Sequence, residues 1–187
     1  MHYFSLKLFI HLFLLRPFIK LIFGVNIFGN ENIYNLKRFI IIANHNSHLD
    51  TLLLFYILPV NQILITHPVA AKEYFSKSKI IFNLVNYLFD PIWVDRGDPS
   101  LRDEFMNEIK NTLDKEHNII IFPEGTRGLP GEIQSFKSGI GRISEQYPNI
   151  PIIPVFISGP ERSFPKGGSI PIPIWNNINI RPALIFK

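Results

Sequence analysis

His45 and Asp50 stand in the stretch Asn44-His45-Asn46-Ser47-His48-Leu49-Asp50. An imidazole near its ordinary pKa can take a proton from a hydroxyl, and a carboxylate on its other nitrogen fixes the tautomer and steadies the imidazolium. Such a pair activates an alcohol. The same residues have a second reading, because Ser47-His48-Leu49-Asp50 is also a capping box opening the apolar helix Leu52–Leu58. Asp50 is then a helix-end residue and His45 a loop histidine, and spacing alone leaves the two readings even. A third would place a metal on His45, His48 and Asp50, with no matching ligand signature elsewhere in the chain to support it.

Two further loops carry charge. Pro123-Glu124-Gly125-Thr126-Arg127-Gly128 offers a carboxylate and a guanidinium between two glycines, and Asp95-Arg96-Gly97 offers a second guanidinium. Arg binds phosphate in a bidentate fashion that Lys does not match. Each Arg could equally be a solvated charge, and the glycines could serve only a turn. Lys137, in Phe136-Lys137-Ser138-Gly139, opens the next helix and is either part of an anion site or a surface charge.

The elements that must position these loops follow from hydrophobic periodicity. Phe39–Ala43, Gln62–Thr66, Pro91–Val94, Asn118–Phe122 and Ile152–Ile157 read as buried strands. Residues 48–58, 79–88, 100–116 and 138–147 read as helices between them. The alternation gives an α/β fold with a mostly parallel sheet flanked by helices. After Pro148 the chain is proline-rich, including Pro151, Pro154, Pro160, Pro165, Pro171 and Pro173, as loops and edge strands require, and a last strand is expected near 177–186. Open α/β sheets bind ligands beyond the carboxyl ends of their strands. All three charged loops fall there.

At 187 residues the chain is one domain, and its 13% aromatic content with 18% charged residues excludes a disordered composition. It has no Cys, which removes disulfides, thiolate nucleophiles and thiolate-held zinc and points to a reducing compartment. Residues 1–38 hold Lys7, Arg16, Lys20, Lys37 and Arg38 against Glu31 alone, which accounts for the whole net charge of +4. These cations interleave with Phe9, Leu12, Phe13, Phe18, Leu21 and similar residues instead of spreading over a folded face, so an anionic membrane surface fits and nucleic acid does not.

Charges interrupt every window long enough for a transmembrane helix, and no small-residue cleavage site follows the apolar stretch. Pro17 divides the segment into two amphipathic helices, about 3–15 and 17–24, with basic side chains reaching headgroups. The alternative is a greasy helical pair folded onto the core or onto a partner chain. The resulting organisation is 1–28, interfacial membrane-anchoring helices, and 29–187, the motif-bearing domain.

At these residues the sequence resembles the glycerolipid acyltransferase family that includes the 1-acylglycerol-3-phosphate acyltransferases. Asn44–Asp50 is similar to its NHxxxxD block, Trp93-Val94-Asp95-Arg96 to its Arg block, Phe122–Arg127 to its FPEGTR block, and Ile150-Pro151-Ile152-Ile153-Pro154-Val155 to its hydrophobic-proline block. The resemblance implies His45 as general base, Asp50 as its partner, and Arg96, Glu124, Gly125, Thr126 and Arg127 on the acceptor's glycerol phosphate, and the reading of the residues themselves adds Lys137 to that anion site. It also implies an acyl thioester donor, acyl-CoA or acyl carrier protein, with no other cofactor. A lysophospholipid is the expected acceptor, 1-acylglycerol-3-phosphate giving phosphatidate in phospholipid biosynthesis before any other lysophospholipid, at the cytoplasmic face of a membrane. A thioester hydrolase and a shortened, non-catalytic lipid-binding relative are the competing readings. Family members commonly continue past the last strand, so an end at Lys187 reads as a minimal or shortened form whose sheet edge would be exposed.

Overall fold

The computed structural model describes residues 5–128, 132–163 and 172–185. Pro165, Pro171, Phe186 and the first residues of the expected opening helix lie outside them. The helices are α1 (Leu6–Ile10), a π-helical turn (His11–Leu15), α2 (Arg16–Phe23), α3 (Glu31–Tyr34), α4 (Asp50–Ile57), α5 (Lys72–Phe75), α6 (Lys79–Phe89), α7 (Arg102–Asp114), α8 (Gly139–Gln146) and α9 (Pro160–Ser163). The strands are β1 (Val25–Phe28), β2 (Ile40–Ala43), β3 (Thr66–Ala71), β4 (Ile92–Val94), β5 (Asn118–Ile121), β6 (Ile152–Ser158) and β7 (Asn176–Ile180).

The strands form one sheet in the order β1-β7-β6-β2-β5-β3-β4. Pairing is parallel except between β6 and β7, so β1 and β7 run against the other five. Alternation along the strands divides the interior in two. Ile41, Ala43, Ile120, Ile153 and Val155 pack under α2, α4 and α6, whereas Ile40, Ile119, Ile121 and Ile152 pack under α7 and α8. The result is a single α/β domain with helices on both faces of a mostly parallel sheet.

The strand expected at Gln62–Thr66 is a 3-10 helix, Val60–Ile65, and β3 begins only at Thr66. Pro68 looks like a strand breaker in the sequence. It is accommodated where β3 changes partners, pairing with β5 through Pro68 and with β4 from Val69 onward. The register is locked by fully buried Asn118, whose amide donates to Gln62 Oε1 at 2.6 Å and whose oxygen accepts the Phe39 N–H at 2.9 Å. The final strand is shorter than expected: β7 ends at Ile180, and beyond Pro182 a single bridge joins Leu184 to Ile152.

The opening segment is one uninterrupted helical run from Leu6 to Phe23, not two helices parted at Pro17. In the π-helical turn the Arg16 N–H reaches back to His11 O. This wider turn accommodates a proline that lacks an N–H for the ordinary ladder. It also straightens the buried stripe. Residues four apart drift about 40° per step in an α-helix, and the underwound turn recovers much of that drift between His11 and the buried Ile19 and Phe23. His11 stacks on Phe55 and donates from Nε2 to Leu88 O at 2.8 Å.

The run is therefore folded onto the core along one face, while Phe9, Phe13, Leu14, Phe18 and Leu21 stay exposed on it. Arg16 was expected to reach outward. Instead its guanidinium donates to Leu58 O at the carboxyl end of α4, where a cation is favoured. Gly24 ends the run at φ +51°, with the Trp175 ring where a Cβ would sit, so glycine is required there. Among the described residues no helix is long and apolar enough to cross a membrane.

Candidate active site

Parallel β2 and β5 are neighbours in register, so the loops leaving their carboxyl ends emerge side by side. The β2 loop is pinned first. Asn44 lies under the rim with its amide donating to Ile157 O at 2.8 Å and its oxygen accepting the Ile157 N–H at 2.7 Å. Asp50, the first residue of α4, is 1% exposed. Its Oδ2 accepts three donors at 2.8 Å each: His45 Nδ1, Asn46 N–H and Ser47 N–H. The carboxylate orients His45 and also takes the Ser47 N–H, which is one half of a capping box; the other half is not made, because Ser47 Oγ accepts the Leu49 N–H at 3.2 Å and α4 begins at Asp50 with Leu49 in the N-cap place.

With Nδ1–H given to Asp50, the lone pair of His45 is on Nε2, which has no hydrogen-bond partner among the described residues. The ring stacks on Phe122, centroids 4.1 Å apart, and its side chain is 22% exposed. It is thus fixed on two sides and open at the nitrogen that can accept a proton.

Glu124 is buried, and both of its oxygens accept backbone N–H groups, Oε1 from His45 at 3.0 Å and Oε2 from Gln134 at 3.2 Å. The Gly128 N–H donates to His45 O at 2.8 Å. Glu124 therefore staples the β5 loop to the β2 loop with its carboxylate turned inward. Gly125 turns the loop at φ +74°, a conformation side chains strain to adopt, and the stem of Lys137 lies against it. Thr126 is exposed and donates to Gln134 Oε1 at 3.4 Å.

Arg127 is brought to the β2 loop by partners not apparent in the sequence. It bonds to His48 Nε2 and lies over the Tyr74 ring, 5.0 Å from its centroid, while Tyr74 OH bonds to the same His48 nitrogen at 2.8 Å. Two donors on one nitrogen require neutral His48 with its proton on Nδ1. Burial, with Arg127 and His45 nearby, lowers the His48 pKa to about 4, partly opposed by Asp50. A metal on His45, His48 and Asp50 does not fit this arrangement: His48 Nε2 faces a cation, and Asp50 Oδ2 is saturated by N–H donors. Arg96 follows β4, two strands beyond β5 in the sheet, and lies 3.6 Å from Glu73 on α5. No described contact joins it to His45.

The spacing of His45 and Asp50 exposed that pair, since both sit on one short loop. His48, Tyr74, Phe122 and Gln134 were missed as positioning groups. A Tyr in α5 carries no sequence sign that it will meet an Arg beyond β5.

Residues 24–158 match the family model described as Acyltransferase. The chain belongs to that acyltransferase family. Its relatives include a 1-acyl-sn-glycerol-3-phosphate acyltransferase of Cocos nucifera, 30% identical over 166 residues, 86% of this chain and 47% of that protein. A Dictyostelium discoideum protein named Taffazin is 33% identical over 174 residues, 84% of this chain and 59% of that one. Among solved structures, the 1-acyl-sn-glycerophosphate (LPA) acyltransferase PlsC of Thermotoga maritima is similar with a TM-score of 0.69 and 28% identity, covering 91% of this chain and 65% of that one. The chain spans about half the length of most of the curated relatives it matches.

Proposed function

We propose that the protein transfers a fatty acyl group from an acyl thioester, acyl-CoA or acyl carrier protein, to the free hydroxyl of a lysophospholipid. The best-supported acceptor is 1-acylglycerol-3-phosphate, giving phosphatidate in phospholipid biosynthesis. The observation that carries this reading is the 2.8 Å bond from His45 Nδ1 to buried Asp50, which leaves Nε2 open beside the loop that bears Arg127.

His45 Nε2 takes the hydroxyl proton as the oxygen attacks the thioester carbonyl, and Asp50 steadies the imidazolium. The tetrahedral intermediate collapses with cleavage of the C–S bond, and the imidazolium returns its proton to the departing thiolate. The products are an ester and a free thiol, with no covalent enzyme intermediate. A thioester is already activated, so holding hydroxyl, base and carbonyl together is the main contribution. Arg127 and Arg96 take the acceptor phosphate, with Gly125, Thr126 and Lys137 bordering that site and Glu124 holding the loop in place.

The acceptor's chemistry and the exposed apolar stripe of the Leu6–Phe23 run favour work at a membrane, and a chain without Cys favours the cytoplasmic face. Incubating the protein with lysophosphatidate vesicles and an acyl-CoA or acyl carrier protein donor, and following diacylated product by mass spectrometry, tests the reading. Product that requires both substrates supports it. Thiol release without acceptor would make the protein a hydrolase, and no product from any lysophospholipid would leave a lipid-binding relative.

A further inference from the structure

Helix α6 presents apolar residues on two sides. Val85, Leu88 and Phe89 pack into the core, and Phe82 stacks on Trp93 with centroids 4.6 Å apart. On the outward side Ile80 is 81% exposed and Leu84 54%, with Ile81 and Tyr87 alongside at helical spacing. After Lys79 the helix carries no charge at all. Its polar residues after Lys79 are Asn83, at the border of that stripe, and Asn86, which accepts the Trp93 indole N–H, and an exposed apolar stripe of this kind marks a contact surface.

Charge identifies the chemistry of what covers it. On the sheet face bearing the Leu6–Phe23 run, α4 and α6, Lys20 and Lys79 are exposed and Lys7 half-buried, Arg16 is turned inward to Leu58 O, and an exposed acid, Asp90, follows α6 near Lys7. Lys72 and Lys77 add two exposed cations just before α6, whereas nearby Glu73 is paired with Arg96. On the opposite face α7 exposes both signs, with Asp103, Glu104 and Asp114 among them. The apolar and cationic face is complementary to anionic phospholipid, and the α7 face is not.

We propose that α6 is a membrane-docking element, its Ile80–Tyr87 stripe set into the headgroup–acyl boundary of an anionic bilayer and Lys72, Lys77 and Lys79 at phosphate level. This rests on the lipid-acceptor reading above. The helix adjoins the opening run, since His11 bonds to Leu88 O and its ring meets Phe89 edge-on. It also adjoins the site: Tyr74, on the short helix just before α6, lies under Arg127 and bonds to His48. Docking α6 therefore sets the phosphate-binding rim at headgroup level, where a lysophospholipid presents its own phosphate.

The chain has no Cys, so Leu84→Cys gives one site for a nitroxide label, with Leu21→Cys on the opening run and Asn107→Cys on α7 as references. The probes are vesicles of phosphatidylcholine with phosphatidylglycerol. The proposal expects the label at 84 to become accessible to oxygen and shielded from a water-soluble nickel chelate only when vesicles are present, with the label at 107 unchanged. It also expects Ile80→Asp with Leu84→Asp to weaken vesicle binding about tenfold or more, while turnover of a water-soluble short-chain acceptor stays within about twofold.

A shielded label at 21 with a nickel-accessible label at 84 on bound vesicles overturns the role of α6 alone. Shielding at 84 without vesicles that grows with protein concentration overturns it in favour of a second copy of the chain. Failure to bind anionic vesicles overturns both this proposal and the membrane reading. A wild type that docks through α6 yet turns over no acceptor upholds the docking and overturns only the proposed activity.

Discussion

His45 depends on a proton it does not use: Nδ1–H must stay on Asp50 for Nε2 to present its lone pair. His45→Ala should lower turnover by roughly 10²–10⁴-fold, the usual worth of a positioned acid–base group, with little change in Tm because the side chain is part-exposed. Asp50→Asn should lower activity and stability together, since a buried carboxylate serving three donors is lost, at roughly 2–3 kcal/mol. Normal activity with a lowered Tm would confine Asp50 to capping. His48 holds a subtler place. The unfolded chain takes a proton at His48 near 6.5, whereas the folded chain does so only near 4, so acidification through that window costs stability. His48→Gln keeps an acceptor for Arg127 and does not titrate, so its Tm should fall less than the wild type's between about pH 7 and about pH 4.5. Tyr74→Phe removes one of the two donors that fix His48 and should raise the acceptor KM several-fold more than it lowers kcat. His45 and Asp50 were legible because one loop carries both. The clamp on Arg127 was not, because its members meet only through the parallel order of β2, β5 and β3.

Loops, helices and strands succeed or fail here through single backbone residues. Gly125→Ala forces a Cβ onto a left-handed turn and should cost about 1–2 kcal/mol by thermal denaturation. The opening run is the element most changed by seeing the fold. Periodicity read Pro17 as a division, but a π-helical turn carries the helix through it and brings Ile19 and Phe23 into the core. Deleting residues 2–23 would strip buried side chains along with exposed ones and should lower Tm by several degrees or prevent folding. Leu14→Ser and Leu21→Ser alter side chains of the exposed stripe and should weaken vesicle binding with little change in Tm. The helices 48–58, 79–88 and 138–147 were legible to within a residue or two from their apolar spacing. β3 was not, because Pro68 and the 3-10 turn before it obey partner geometry that no local pattern encodes.

At the scale of the whole molecule, a mostly parallel sheet brings the His45 loop and the Arg127 loop to one rim, and helices with different surface chemistry cover its two faces. The α/β class and the rim could be inferred from strand–loop alternation, since chemistry gathered after strands. Strand order and the reversal of β1 and β7 could not, because short isoleucine-rich strands carry no label for their neighbours. The account stands on acyl transfer from a thioester to a lipid hydroxyl with His45 as base. The most direct test measures thiol release and diacylated product together, with and without lysophosphatidate, for the wild type and His45→Ala. Equal amounts of thiol and product that require the acceptor, falling by roughly 10²–10⁴-fold in the variant, are the predicted result. Undiminished product formation by His45→Ala would contradict it.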